Sequence, residues 1–401
     1  MNIHLKELQP YPFARLRNLF EGLIPNAGLR PINLGIGEPQ HTAPVHVVAS
    51  LSANLQAISN YPTVLGIPEL RSAICRWACS RFKLSSLDPD TQVLPVNGTR
   101  EALFSIAQVI CSSTTTSSVF APNPFYQIYE GAAVMAGAKL VLLACEPHCN
   151  YQPDYRAIED SDWAKCNLLY LCNPGNPAGG LIDRDTLTYL ISKALEHDFV
   201  IVSDECYSEI YRDETNPPPG LLEVCAAIGN TQYTKCLAFH SLSKRSNLPG
   251  MRSGFVAGDA SILEPYLQYR TYHGCTMPLY HQQASITAWE DEQHVIENRS
   301  LYRAKFERVL DTLRPHYPLT YPDGGFYIWL PTPIDDELFA QRLYQEYSVT
   351  ALPGTYLGRV VNGRNPGKGY LRMALVASVD DCLEAAQRVV ALTEKIRAED
   401  V

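Results

Sequence analysis

Between residues 90 and 260 the chain alternates short apolar runs with stretches of helical period, and this rhythm restricts the fold more than any other feature of its 401 residues. "VLPVNG" precedes "TREALFSIAQVI", "SSVFAP" precedes "QIYEGAAVMAGA", and "NLLYLCNP" precedes "RDTLTYLISKALEHD"; "KLVLLAC", "FVIVSDE" and "CLAFHS" complete the set. Apolar runs without polar alternation are strands covered on both faces, and helices between them are the crossovers that parallel neighbours need. The expectation is an α/β fold with a mostly parallel central sheet flanked by helices. In such sheets ligands sit at the carboxyl ends of the strands.

The last third changes character. Two long amphipathic patterns, "HVIENRSLYRAKFERVLDTLRPH" and "SVDDCLEAAQRVVALTEKIRA", surround two candidate strands, "GGFYIWLP" and "GYLRMAL". This predicts a smaller α+β domain over 281–401 beside a large domain over 46–280. Residues 1–45 contain no full strand-helix unit and are expected to join the small domain. "CSSTTTSS", Cys111 to Ser118, and "NPPPG", Asn216 to Gly220, read as loops.

Composition removes several function classes. A net charge of −9 with no basic blocks argues against nucleic acid as a partner. No apolar stretch approaches the roughly 20 residues of a membrane helix, and the first residues show no leader pattern, so no membrane partner and a cytoplasmic address are expected. The twelve cysteines are scattered singly. The two close pairs, in "CRWAC" and "CEPHC", lack the spacing of a zinc knuckle or redox motif, and no metal is expected.

The predicted strand ends carry polar residues where apolar runs stop. Asn97-Gly98-Thr99-Arg100 opens a helix and offers amides and a positive dipole end to a phosphate, although it is also a common turn and cap. "NPFYQIY" brings Tyr126 to the same edge, where it is either a stacking ring or core. "CNPGNPAGG" carries Asn176 in an irregular loop. After "FVIVS" come Asp204 and Glu205, then Tyr207, and burying such an acid costs several kcal/mol unless a cation compensates. "FHSLSKRSNLPGMRSGFVAGD" places Ser241, Ser243, Lys244 and Arg252 together, as a solvated loop or a phosphate pocket with an amine beside it. Pyridoxal phosphate needs every one of these groups: phosphate donors, a stacking ring, an acid for its ring nitrogen and a lysine for its aldehyde.

"SLSKRSNLPGMRSG" and "NPGNPAGG" resemble the two signatures of the class I, fold-type-I, pyridoxal-phosphate-dependent aminotransferases, and the resemblance runs from about Leu34 to the C-terminus. It implies a catalytic set of Lys244 as the Schiff-base lysine, Asp204 on the pyridine nitrogen, and Tyr207, which with Asn176 binds the ring hydroxyl. It further implies that Tyr126 stacks on the ring and that Thr99, Arg100, Ser241, Ser243 and Arg252 hold the phosphate. Tyr61, in "NYPTVLGIPELR", matches the tyrosine that reaches the cofactor of a partner subunit, which implies a homodimer with shared sites. Arg372 in "YLRMAL" matches the arginine for the substrate α-carboxylate, and Gly37 in "LGIGEP" the glycine whose backbone approaches it, alongside Asn176.

Over most of its length the chain is similar to the N-succinyldiaminopimelate aminotransferases of lysine and cell-wall biosynthesis. "LQPYPFARLRNLF", "PNPFYQIYEGAA" and "LSKRSNLPGMRSGFVAGD" carry this likeness. It implies ping-pong transfer between glutamate and N-succinyl-2-amino-6-oxopimelate. Transaminases for aspartate, alanine or aromatic acids share the motifs, as do carbon-sulfur lyases of this fold. A long acceptor needs a second cationic or polar contact at its far end, and Arg17, Arg30 and Arg270 are the candidates read from the sequence.

Overall fold

A computed structural model describes residues 2–111 and 117–399. Most of the loop expected over Cys111 to Ser118 therefore lies outside the described residues. In the N-terminal segment a helix (Pro12–Leu19) precedes a two-residue strand, β1 (Ile32–Asn33). Eight strands then build the main sheet: β2 (Val93–Val96), β3 (Ser118–Asn123), β4 (Lys139–Glu146), β5 (Gln152–Pro153), β6 (Cys166–Cys172), β7 (Val200–Asp204), β8 (Cys236–Ser241) and β9 (Gly254–Gly258). Their order is β2-β9-β8-β7-β6-β3-β4-β5. The five strands from β8 to β4 run parallel, and β9, β2 and β5 join antiparallel.

Period-two alternation splits each central strand between two cores. Leu169, Leu171, Ile201 and Ala238 face one side, and Leu168, Tyr170, Val200, Val202 and Leu237 face the other. This is why these runs are apolar throughout. The register pairs Cys172 with Asp204 and Asp204 with Phe239, so β6 and β7 end at one level and β8 ends two residues later, at Ser241. The polar residues that follow each strand are brought together there.

The smaller unit holds β10 (Tyr327–Pro331), β11 (Val349–Thr350), β12 (Leu352–Pro353) and β13 (Tyr370–Ala374). β13 lies between β10 and β12, antiparallel to both, and β1 pairs parallel with β11. The helices Gln293–Leu313, Asp336–Tyr347 and Val379–Glu399 close its core through Phe306, Phe339, Val389 and Leu392, with Ile32 and Leu34 of the N-terminal segment inside it. The division expected at residue 281 falls within the helix Leu279–Trp289. Ala284, Ala288 and Trp289 belong to the core of the large domain, where Trp289 lies 4.7 Å from the Trp77 ring and 5.2 Å from that of Phe255. We therefore place the division after Trp289. The sequence alone hides this, because a mixed apolar pattern does not say which neighbour it packs on.

Trp289→Ala should destabilise the large domain by about 3–5 kcal/mol, the usual cost of emptying a buried aromatic position. Urea unfolding followed by large-domain tryptophan fluorescence measures this. An unchanged midpoint would return the helix to the small domain.

Candidate active site

The strand ends and the small domain enclose a cavity of about 500 Å³. At its floor is Asp204, 4% exposed at the end of β7. One carboxylate oxygen accepts a hydrogen bond from the Tyr129 hydroxyl at 2.8 Å, and the other accepts a long one from the Cys206 amide at 3.3 Å. Among the described residues no cation pairs with it, and burial pushes its carboxyl above the ordinary carboxylate range. It is an acceptor awaiting a positive partner.

Lys244 lies on the short helix Leu242–Arg245 directly after β8. Its amine donates to the Gly37 carbonyl at 2.5 Å and sits 5.2 Å from the centre of the Phe326 ring. Burial pulls it down to about 8, and the nearby guanidiniums of Arg372 and Arg100 act in the same direction. A useful fraction is thus free base near neutrality.

A phosphate cradle lies on one side. Gly98, at φ +82, caps the helix Thr99–Ile110, whose first amides have no acceptor within the helix. A Cβ at Gly98 would fall 2.1 Å from Nη2 of Arg252, so only glycine lets this guanidinium approach the turn. The Ser241 hydroxyl donates to that of Ser243 at 2.9 Å, and both line the cavity with Thr99. The Arg100 side chain donates through Nε to the Tyr126 hydroxyl at 2.8 Å and thereby fixes that ring at the cavity wall.

Opposite stands Arg372, 4% exposed on β13. Its Nη1 donates to Asn176 Oδ1 at 3.0 Å and its Nη2 to the Gly35 carbonyl at 3.1 Å, while its buried Nε has no partner among the described residues. The Tyr207 and Tyr327 hydroxyls lie 2.8 Å apart. A Cβ at Gly37 would sit 2.2 Å from the Tyr327 hydroxyl, so the chain passes there without a side chain.

Gly37, Thr99, Arg100, Tyr126, Asn176, Asp204, Tyr207, Ser241, Ser243, Lys244, Arg252 and Arg372 all line this one cavity. Tyr61 does not; its side chain is fully exposed. The three arginines read as contacts for the far end of a substrate are also elsewhere. Arg270 is buried and held by both Glu101 oxygens, at 2.7 and 2.9 Å, and by the Cys275 carbonyl. Glu101 in turn accepts from the Asn97 amide, so Arg270 braces the phosphate turn. Arg30 is engaged by Asp381 and Glu384, and Arg17 is on the exposed side of its helix. Sequence reasoning missed Tyr327, Cys206, Glu38 and the wall of Tyr11, Phe13, Leu352 and Leu357. Tyr327 stood in a predicted strand, but only the approach of the N-terminal segment gives it a role.

These residues fit a phosphorylated pyridinium. The uncompensated Asp204 matches a protonated ring nitrogen, the glycine-lined turn with two serines and a guanidinium matches a phosphate, and the spare Nε of Arg372 matches a carboxylate.

Comparison with known proteins agrees. The profile describing class I and II aminotransferases matches residues 30–389. The LL-diaminopimelate aminotransferase of Dehalococcoides mccartyi is 30% identical over 387 residues, covering 95% of each chain. An aminotransferase from Neisseria meningitidis superposes with a TM-score of 0.94 at 45% identity, over 98% of this chain and 100% of that one. The probable N-succinyldiaminopimelate aminotransferase of Thermus thermophilus shares the fold, with a TM-score of 0.82 at 24% identity over 94% and 98% of the two chains.

The amine of Lys244 sets a measurable pH. In the full cofactor-free chain, acylation of Lys244 followed by peptide mass spectrometry should be half-maximal near pH 8, falling tenfold per unit below it. Exposed lysines should need about two units more. A Lys244 profile that follows the exposed lysines would show that the amine is hydrated.

Proposed function

Because the chain belongs to the class I and II aminotransferases, which depend on pyridoxal phosphate, we propose that Lys244, Asp204 and Arg372 carry out amino transfer between an amino acid and a keto acid. The observation that carries this reading is the meeting of a half-buried lysine and a buried carboxylate that no cation pairs among the described residues, in one cavity. When bound, the cofactor supplies an electrophilic carbonyl and a ring that takes up the electron pair left at Cα. With cofactor and substrate bound, Lys244, partly free base, would accept the Cα proton on its Nζ and hold it there for return. Asp204 keeps a proton on the ring nitrogen. Arg372 forks onto the α-carboxylate through its unsatisfied Nε and an Nη, beside the backbone at Gly37 and the amide of Asn176. Tyr207 and Tyr327 present hydroxyls to the ring oxygen.

For the substrates we propose glutamate as donor and N-succinyl-2-amino-6-oxopimelate as acceptor, in the route to lysine. Support for the succinylated acceptor comes from the sequence likeness to enzymes of that step, and support for the diaminopimelate route from the names of the curated relatives. Those names favour a second reading, in which the long substrate carries no succinyl group. In either case the far end meets the wall of Tyr11, Phe13 and Leu357. Arg15, on the helix of Phe13 but outside the cavity lining, lies 3.9 Å over the Tyr356 ring, with Glu337 and Asp336 acting on its charge. We assign Arg15 the distal contact in place of Arg17, Arg30 and Arg270. The twelve free thiols support a reducing, cytoplasmic setting. The full exposure of Tyr61 supports a homodimer in which it enters the partner's site.

Two experiments test these assignments. Rates with N-succinyl-2-amino-6-oxopimelate, its unsuccinylated counterpart, oxaloacetate, pyruvate and aromatic keto acids should favour the first. Arg15→Gln should lower kcat/KM for it by about tenfold to a hundredfold, the scale of a charge-assisted contact, and leave glutamate nearly untouched. A short keto acid preferred by tenfold would leave only the family-level activity. In subunit exchange, inactive Tyr61→Phe and Lys244→Ala chains should regain activity above the sum of the parents. No gain would place Tyr61 outside the partner's site.

A further inference from the structure

Behind Lys244, outside the cavity, runs a polar chain, buried at Lys305 and Asn298 and half-buried at His41, that the reaction does not use. Lys305, 2% exposed on the helix Gln293–Leu313, puts its amine 2.6 Å from His41 Nε2 and donates to the Val376 carbonyl at 3.2 Å. His41 Nδ1 is 2.7 Å from Asn298 Oδ1, and Asn298 Nδ2 donates to the carbonyls of Lys244 at 3.1 Å and Arg245 at 3.3 Å.

The two carbonyls at the end of this chain fix every orientation in it. They only accept, so the Asn298 amide must turn its nitrogen to them and its oxygen to His41. His41 then carries its proton on Nδ1, and its Nε2 must accept from Lys305. A second path leads to the other end of Lys244. The His41 ring is 4.6 Å from that of Tyr302, which stacks on Phe326 at 5.4 Å, the ring beneath the Lys244 amine.

Packing alone does not call for a lysine here. Among the described residues no carboxylate pairs with Lys305, and a buried amine without one is costly, whereas methionine would fill the same space. The chain also spans three segments: the N-terminal stretch, the first helix of the small domain, and the helix of Lys244.

We propose that His41, oriented by Lys305 and acting through Asn298, is a positioning residue that fixes Lys244 for proton transfer and couples its placement to the seating of the small domain. The inference rests on Lys244 being the catalytic amine. Lys244 is flanked by Cys206, Glu38, Arg100 and Arg372, and Lys305 by Cys382, none of which the variants below alter.

His41→Phe keeps the ring packing and removes the Nδ1 donor. In the holoenzyme it should lower kcat for the glutamate half-reaction about tenfold with KM unchanged, the effect of one lost buried hydrogen bond. In the cofactor-free chain the loosened Lys244 should gain water, and the midpoint of its acylation should rise from near 8 by about one unit. His41→Gln, which keeps an N–H donor, should restore kcat to within about threefold. Lys305→Met is the second probe should His41→Phe not fold, and should move both readouts in the same direction. If either folded variant leaves both kcat and the Lys244 midpoint as in the wild type, while Lys244→Ala is inactive, the proposal fails. An active Lys244→Ala would instead remove the reading on which it rests.

Discussion

A carboxylate stripped of water in the middle of an eight-stranded sheet is the constraint on which the rest of the site depends. Other buried acids in this chain are answered from within. Glu209 has Arg81 and Arg299, Glu205 accepts on one oxygen from the Leu221 amide and the Ser203 hydroxyl, and Asp336 accepts from the amides of Thr355 and Gly369 and the Thr355 hydroxyl. Asp204 has the Tyr129 phenol, the Cys206 thiol and the long Cys206 amide, all neutral donors. A deficit of several kcal/mol at a strand end is kept only if something bound offsets it. Tyr129, which makes the one short contact, is itself stacked on Tyr170 at 4.6 Å, so the acid is held still while it lacks a counter-charge.

The second constraint is that the site closes across two domains. Arg372 enters from the small domain and bonds to Asn176 of the large one and to Gly35 of the N-terminal segment. The loop around Leu357 is tied to the end of β3 by Asn123, which exchanges hydrogen bonds with the Arg359 backbone, and by the Phe125 amide. Arg359 adds a two-oxygen grip on Glu130. Three stretches far apart in sequence therefore meet at Arg372. A substrate that ligates Arg372 strengthens contacts that already join the domains.

What the sequence made legible follows from this construction. The parallel sheet could be read because each central strand is apolar on both faces. The cofactor side of the cavity could be read because a strand end and the turn after it are contiguous, as in Asp204 to Tyr207 and Ser241 to Arg252. Groups supplied by approach between distant segments stayed hidden: Tyr327 against Gly37, His41 against Lys305 and Asn298, and the packing of Trp289 on Trp77. Periodicity states that a face is buried and not which segment buries it.

The same limit explains the arginines. Read as letters, Arg17, Arg30 and Arg270 are equal sources of positive charge. In the fold Arg270 is fully engaged by Glu101 and a carbonyl, and Arg30 is drawn to two surface acids. Three guanidiniums reach the cavity, those of Arg100, Arg252 and Arg372. Arg252 donates to the Pro249 carbonyl and lies against the Gly98 turn, Arg100 donates to Tyr126, and Arg372 to the Gly35 carbonyl and the Asn176 amide oxygen. None is left for the far end of a long substrate. The N-terminal helix turns Pro12 and Phe13 inward, while Arg15, outside the cavity lining, lies on the ring of Tyr356. On the proposed reading a long substrate would bury that aromatic wall, which a short keto acid would leave wet. It is the partners an arginine lacks, not its presence, that decide whether it can read a substrate.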